Sequence, residues 1–200
     1  MKLAGIIYLQ EISQDRIESR NLTIFRKLCG DHAFKNVVLV TTKWKRVDEI
    51  IGAERENELK HAFWNVMVRH GSRMIRFNDS HTSAEQIVLT ILDTKRDTEV
   101  YLRIQMELVD LQKYLPQTDA GRFVSVDLQM ELSKSKRDLA SLRGLLDVEE
   151  DPALRKEYEA TQQSIRDIQT QIQQMKLPLA RRIQDLLRSL LIEERYFSFC

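Results

Sequence analysis

The fold is decided by the stretch NVVLVTTKW, residues 36–44. Its first part, Val37 to Val40, is a continuous run of β-branched and aliphatic side chains. Such a run is typical of a strand buried on both faces, as in a parallel sheet. Similar apolar runs occur at Leu3 to Leu9 and, more weakly, at Arg73 to Phe77. We therefore predict three strands of a parallel sheet.

A helical pattern of apolar residues follows each predicted strand. The first pattern ends at Gly30, the second ends at Gly71, and Ser80 or Thr82 is placed to cap the third. The apolar positions are Ile17, Leu22, Ile24, Phe25 and Leu28, then Leu59, Phe63, Val66 and Met67, then Ile87, Val88, Ile91 and Leu92. This alternation predicts an α/β fold with right-handed crossovers. Because three strands make a thin domain, we expect part of the sheet to lie outside this sequence.

The chain changes character near residue 96, which divides it into a predicted α/β part, 1–96, and a helical part, 97–200. Apolar residues recur there at spacings of three and four, which is typical of long helices and coiled coils. Pro116 interrupts this pattern, and Thr118 with Asp119 offers a new cap. The stripe consists of Tyr101, Ile104, Leu108, Leu111 and Leu115, followed by Leu128, Leu132, Leu139, Leu142 and Leu146.

A last helix is predicted to begin at Asp151-Pro152, with the aspartate as cap and the proline in the first turn. Its stripe is Leu154, Tyr158, Thr161, Ile165, Ile168, Ile172, Met175 and Leu179, resumed after a kink at Pro178 by Ile183, Leu186 and Leu190 before the aromatic residues Tyr196, Phe197 and Phe199. Two interpretations remain open. Residues 154–190 pair with a partner helix or a second copy, or the helix folds back as an antiparallel hairpin on the helix before it.

Composition narrows the class of protein. The 31 basic and 30 acidic residues nearly cancel, which argues against a nucleic-acid-binding surface. The two cysteines, Cys29 and Cys200, form no disulfide framework, and no apolar run reaches the ~18 residues that span a bilayer. We expect a cytoplasmic protein without a transmembrane segment. Cys29 and His32 have a spacing that suits zinc, but no second pair follows them, so we predict no metal site.

Several blocks of sequence occur in the order found in one known family. They are Gly5-Ile6-Ile7-Tyr8-Leu9, Arg20-Asn21-Leu22, Phe25-Arg26-Lys27-Leu28-Cys29-Gly30, the stretch 36–44, Arg55-Glu56, Glu58-Leu59, Phe63-Trp64 and Ser83-Ala84. These blocks resemble fungal G-domain-containing P-loop proteins, which are relatives of the AIG, septin and Toc-type GTPases. The resemblance covers roughly residues 3–92, and residues 105–121 are similar to the stretch that follows in such proteins.

The resemblance implies a partial P-loop NTPase-like sheet whose first strand corresponds to the fourth strand of a GTPase. It implies degenerate base-binding positions at the end of the second strand and in the loop to which the third strand leads: Thr41, Thr42, Lys43, Trp44, Ser83 and Ala84. Relatives often have an aspartate after the tryptophan, where this chain has Lys45. We expect the nearest carboxylate, Asp48, to belong already to the next segment. The alternative to a base-binding site is that Thr41 to Trp44 are simply the end of a strand, with a tryptophan that packs against the protein.

The chemistry of phosphate transfer is missing from the sequence. It contains no G-x-x-x-x-G-K-[ST] loop and no D-x-x-G segment, which in GTPases hold the phosphates and Mg²⁺. GTP and Mg²⁺ are therefore implied by the family alone, and we expect no hydrolysis by this chain. Two functions remain open: a truncated GTPase-like protein with a helical interaction tail, or a coiled-coil scaffold without nucleotide function. An unrelated enzyme lacks any catalytic constellation to support it.

Overall fold

The computed structural model describes residues 3–14, 19–94, 100–147 and 151–176. The chain separates into two compact units, residues 1–112 and 113–200. The boundary that the sequence predicts at residue 96 falls among residues outside the described ones. The segment 100–112 belongs to the first unit.

Three parallel strands form the sheet of the first unit, as the sequence predicts. They are β1 (Ile6–Glu11), β2 (Val37–Thr42) and β3 (Arg73–Arg76), and they lie side by side in the order β1-β2-β3. Ile6 is paired with Val37, and Val38 with Arg73. An isolated antiparallel bridge joins Leu3 to Val100. Strand β1 begins three residues later than the apolar run and extends through the polar Gln10 and Glu11, because strand length follows pairing with β2.

The described helices of the first unit follow the predicted alternation. They are α1 (Ser19–Cys29), α2 (Glu49–Glu58), α3 (Asn65–Arg69), α4 (His81–Thr94) and α5 (Arg103–Gln105), with 3-10 turns at Asp31–Asn36 and Trp44–Arg46 and π-helical turns at Leu59–Phe63 and Met106–Asp110. Gly30 and Gly71 take φ values of 73° and 97°, which explains why glycines end these patterns. The Ser80 hydroxyl accepts from the backbone N–H of Ser83, as a cap of α4 does.

Strand β2 is buried on both faces and separates two apolar cores. On one face, Val37 and Leu39 pack with Phe34, Trp64 and Met67 in the larger core. On the other face, Val38 and Val40 pack with Ile87 and Ile91 of α4, and with Ile75 and Phe77. Residues 37–40 are therefore continuously apolar because both faces of the strand are buried, as predicted.

The prediction of two buried faces is wrong for β1. Tyr8 packs in the larger core against Phe25 and Trp64, but Ile7 and Leu9 on the opposite face are 40% and 64% exposed. The apolar positions of α4 divide in the same way, because Ile87 and Ile91 are buried while Val88 and Leu92 are about half exposed. Among the described residues, no element covers this part of the sheet.

The second unit is a helical hairpin. After a 3-10 turn at Leu115–Gln117, helix α6 spans Asp119–Leu146 and α7 spans Pro152–Gln174. Thr118 and Asp151 cap the two helices, as predicted, by accepting from the backbone N–H groups of Gly121 and Ala153. The helices pack along each other, and a five-residue link makes them antiparallel.

The stripe of the last helix faces its neighbour. Ile168 is buried, and Leu154, Tyr158, Thr161, Ile165, Ile172 and Met175 are less exposed than most of the α7 residues between them. The fold-back alternative is therefore the arrangement of the described residues. Residues 177–200, which contain the predicted kink at Pro178 and the apolar-aromatic end, lie outside the described residues.

The first part of the predicted helical stripe, residues 101–115, is not a long helix. The helical turns end at Asp110, and Gln112 takes a φ of 48°, which breaks the period. Tyr101, Leu108, Leu111 and Leu115 are exposed. Across the described segments, no helix combines the length and apolarity needed to cross a membrane.

Candidate functional site at the carboxyl edge of the sheet

The carboxyl ends of β2 and β3 bring the two predicted base-site segments to one edge of the sheet. Thr41 is the pairing partner of Arg76, and the backbone N–H of Phe77 donates to the carbonyl of Thr41 over 2.8 Å. Just beyond the strands, Lys43 and Asp79 both adopt left-handed backbone conformations, with φ of 64° and 52°. Ligands of open parallel sheets bind outside this edge, which makes it the candidate site.

Trp44 is held against the sheet by three neighbours. Its indole Nε1 donates to the buried hydroxyl of Thr41 over 3.1 Å. The guanidinium carbon of Arg76 lies 4.0 Å from the centroid of its ring. A Cβ at Gly52 of α2 would lie only 2.8 Å from Cζ3 of Trp44, so the ring edge packs against the helix backbone. Trp44 is thus packed against Thr41 and the backbone of α2, and Arg76 covers one face of its ring.

Arg76 connects the tryptophan to helix α2. Its Nε lies 3.0 Å from both carboxylate oxygens of Glu56, and its Nη2 also contacts that carboxylate. This hydrogen bonding to Glu56, against a smaller opposing effect of burial, raises the pKa of the Arg76 guanidinium above its ordinary value. The Arg76 side chain is nevertheless 43% exposed. The Arg76 side chain is therefore partly accessible to a ligand.

A cavity of about 350 Å³ opens beside this stack. We call it the edge cavity. Its walls carry both signs of charge and one aromatic ring: Trp44, Lys45, Val47, Glu49, Arg76, Asn78 and Asp79. Its volume is at the lower limit of small-molecule sites, which begin at about 300 Å³. The cavity suits a small polar planar group better than a large apolar one.

The structure places the predicted site residues unevenly around this cavity. Trp44 lines it, whereas Thr41 lies beneath in the sheet, with its hydroxyl bonded to the indole. The Ser83 hydroxyl is buried in the β3–α4 turn, where it accepts from the backbone N–H of Asn78. Thr42 is the last residue of β2, Lys43 follows it, and Ala84 is exposed on α4. Asp48 caps α2 by accepting from Ile50, as expected of a residue in the next segment.

Five residues of the cavity were missed by the sequence reasoning: Val47, Glu49, Arg76, Asn78 and Asp79. The last three lie at the end of β3 or just after it, so the available signal was that the third predicted strand runs parallel to the second and beside it. The sequence alone showed three basic residues after the second strand, Lys43, Lys45 and Arg46, but no carboxylate at the matching position. Glu49 and Asp79 supply carboxylates from two other segments.

Cys29 is buried in the larger core, and His32 contacts the main chain. Burial raises the pKa of the Cys29 thiol to about 11, so the thiol stays protonated at neutral pH. A ring nitrogen of His32 lies 2.7 Å from the carbonyl oxygen of Tyr101. Within residues 3–14, 19–94, 100–147 and 151–176, no three His, Cys, Asp or Glu side chains are placed to hold a metal ion.

Comparisons with known proteins add no relative. No family model matches the chain, and neither the curated proteins nor the solved structures gave a match.

Proposed function

We propose that this chain is a GTPase-like binding protein without catalytic activity, which retains the base side of a guanine-nucleotide site and uses its helical tail to bind a partner or a second copy. The observation that carries the proposal is the edge cavity, at the carboxyl ends of two adjacent parallel strands. In open α/β sheets this is the position where ligands bind. Residues 154–190 were predicted to pair with a partner or a second copy, but up to residue 176 the apolar stripe of this stretch packs on α6. We therefore propose the outer surface of the hairpin for partner binding.

The order of the strands supports the relation to a GTPase. In a doubly wound sheet of order 3-2-1-4-5-6, strands 4, 5 and 6 lie side by side in sequence order. The order β1-β2-β3, all parallel, agrees with those three strands. The phosphate-binding turn of such a sheet follows strand 1, which would lie beside β1. This arrangement is consistent with a base site that has no phosphate site next to it.

The cavity offers a nucleobase two kinds of contact. A planar base stacks on the partly accessible side chain of Arg76, which the Glu56 carboxylate and the Trp44 ring hold in place. The carboxylates of Asp79 and Glu49 accept hydrogen bonds from the N–H groups of the base, a role that Lys45 cannot perform. Guanine presents adjacent N–H donors and is the base that benefits most from a carboxylate.

A base-side site predicts an unusual ligand preference. Phosphate groups contribute most of the affinity of a GTPase for its nucleotide, through a glycine-rich turn, a lysine and Mg²⁺. Without these groups, affinity should not rise from GMP to GDP to GTP, and Mg²⁺ should have no effect. We expect millimolar dissociation constants, which correspond to about −4 kcal/mol.

Thermal melts of the chain with GMP, GDP, GTP and AMP test the proposal. A ligand at fivefold excess over its dissociation constant stabilises the folded state by about 1 kcal/mol. This raises the melting temperature of the first unit, residues 1–112, by roughly 4 °C. We expect equal shifts with the three guanine nucleotides and smaller ones with AMP. A shift that grows with phosphate number would indicate a different site, and no shift with any nucleotide would refute nucleotide binding.

Matched variants locate the site. Asp79→Asn removes the charged acceptor in the cavity and should weaken GMP binding at least threefold. Asp93→Asn is the control, because Asp93 is equally exposed but lies near the other end of α4. Equal GMP affinity in both variants would contradict the role of Asp79.

A scaffold function without nucleotide is the second candidate, and one observation favours it. Val126 and Met130, one turn apart on α6, are 56% and 67% exposed, whereas the stripe with Leu128 and Leu142 is buried against α7. An apolar pair on the outer side of a closed hairpin suits a partner helix. If this function is correct, the double variant Val126→Glu with Met130→Glu lowers the molar mass of the oligomer that the chain forms in solution, while nucleotides leave the melting temperature of the chain unchanged.

A further inference from the structure

The two edges of the sheet are built differently. Strand β3 has four residues and carries Arg73 and Arg76 at its ends, and short charged edges resist pairing with other strands. Strand β1 has six residues and exposes Ile7 and Leu9 on its uncovered face. A long edge with apolar side chains is open to another strand. The difference between the edges indicates that β1 is the pairing edge.

The backbone groups of β1 that face this edge can be identified. The N–H of Ile12 donates to the carbonyl of Thr42, and the carbonyl of Gln10 accepts from the Thr42 hydroxyl. The even-numbered residues of β1 therefore direct their backbone groups to β2. Because these groups alternate in direction along a strand, the N–H and C=O groups of Ile7, Leu9 and Glu11 face outward.

The open stretch of this edge has two limits. At one end, the isolated antiparallel bridge between Leu3 and Val100 precedes the strand, which begins at Ile6. At the other end the strand stops at Glu11. Among the described residues β1 pairs only with β2, so the outward positions Ile7, Leu9 and Glu11 form the open stretch.

Helix α4 extends the apolar surface beside β1. Its Thr90 carbonyl accepts from Arg73 on β3, so this flank of the helix faces β3. Ile91 reaches the first residues of β1, since its Cγ2 lies 2.6 Å from where a Cβ of Gly5 would be. Val88 and Leu92, about half exposed, lie on the flank turned away from Thr90 and therefore toward β1. Together with Ile7 and Leu9 they form what we call the β1 patch.

We propose that β1 pairs antiparallel with β1 of a second copy of this chain, about a two-fold axis at Tyr8, to form a continuous six-stranded sheet. The two exposed apolar side chains fix this register, because only here do Ile7 and Leu9 both lie opposite an apolar residue. Ile7 then lies opposite Leu9 of the second copy, and Gly5 lies opposite Glu11. Ile7 and Leu9 both direct their backbone groups outward, so these two residues exchange two hydrogen bonds on each side of the axis.

The side chains fit the same register. Ile7 and Leu9 are two positions apart on one face, so the two-fold axis between them places each against the other, and four apolar side chains adjoin across the interface. Glu11 lies opposite Gly5 of the second copy and far from Glu11 of that copy, which avoids repulsion between like charges. The β1 patches of the two copies also become neighbours on one face of the joined sheet. An isologous contact of this kind closes as a dimer.

Sedimentation equilibrium of the whole chain tests the proposal, with circular dichroism as a check on folding. We expect a dimer for the wild-type chain at micromolar concentration. Ile7→Lys or Leu9→Glu, each at an exposed position, should weaken dimerisation at least tenfold. The control is Ile50→Lys, because Ile50 is 71% exposed on α2, away from the β1 edge. This control should leave the dimer unchanged.

The register has a test of its own. The double variant Ile7→Lys with Leu9→Glu places lysine opposite glutamate twice in the proposed pairing. It should therefore dimerise at least threefold more tightly than either single variant, and added salt should weaken that recovery. A monomeric wild-type chain overturns the proposal. A dimer that survives both single variants and is lost with Val126→Glu and Met130→Glu also overturns it, because the helical surface would then form the contact.

Discussion

The close contact at Gly121 allows a sharp test of the packing in the helical unit. A Cβ at Gly121 would lie 1.9 Å from the carbonyl oxygen of Leu115, 2.9 Å from its carbonyl carbon and 3.0 Å from Cα of Pro116. All three are backbone atoms, so no side chain can move aside. We predict that Gly121→Ala forces the 3-10 turn Leu115–Gln117 away from the first turn of α6.

The magnitude follows from three contributions. Forcing a methyl group into a packed site costs typically 1–3 kcal/mol. The displaced turn also disturbs Thr118, which is fully buried, donates to Leu115 and caps α6, and loss of a cap costs about 1 kcal/mol. Alanine recovers roughly 0.5–1 kcal/mol of helix propensity relative to glycine. The net prediction is a loss of about 1–3.5 kcal/mol in the free energy of unfolding.

Gly144 in the same helix provides the control, because no atom lies within 4 Å of a Cβ built there. Gly144→Ala should stabilise the chain by about 0.5–1 kcal/mol through helix propensity alone. Urea unfolding followed by circular dichroism at 222 nm measures both changes. Tryptophan fluorescence reports the first unit separately, since Trp44 and Trp64 both lie there. A Gly121→Ala chain as stable as Gly144→Ala would refute the close contact.

Three further predictions concern the first unit. Gly5→Ala should lower the free energy of unfolding by about 1–3 kcal/mol, because its Cβ would lie 2.6 Å from Ile91 Cγ2 and 2.9 Å from the backbone oxygen of Asn36. Urea unfolding followed by tryptophan fluorescence measures this loss, and an unchanged midpoint would contradict the tight packing of α4 on the sheet. Trp44→Phe should lower the free energy of unfolding by about 1–3 kcal/mol beyond the lost packing, since the buried Thr41 hydroxyl loses its hydrogen-bond donor. In a double-mutant cycle, Thr41→Val should recover part of that loss, and strict additivity would argue against the hydrogen bond. Burial raises the pKa of Cys29 from 9.0 to about 11, so the folded state holds this proton more tightly than the unfolded state; the resulting stability, about 2–3 kcal/mol, is present below pH 9 and lost between pH 9 and 11. The free energy of unfolding, plotted against pH over that range, should fall more steeply for the wild-type chain than for Cys29→Ala. Equal slopes would show that the thiol titrates normally.

The sequence determined the local structure where short-range rules act. The three apolar runs became parallel strands, Gly30 and Gly71 ended helices by adopting positive φ, and Thr118 and Asp151 became caps. Each of these outcomes depends on a few neighbouring residues, so periodicity and side-chain chemistry predicted them. The stripe of α7 was also predicted to its individual positions, because a helix face buried against any neighbour carries the same spacing.

Only the tertiary structure decided what those faces meet. The apolar run of β1 reads like that of β2, yet one of its faces is open, because exposure depends on which helices cross the sheet and the sequence pattern does not contain that information. The contacts of Trp44 could not be read either, since Thr41, Gly52 and Arg76 come from three elements up to 35 positions apart. Asp79 joins Trp44 at one cavity because β2 and β3 are adjacent and parallel. The sequence fixes which side chains can bury or bind, whereas pairing and packing over long separations decide which of them come together.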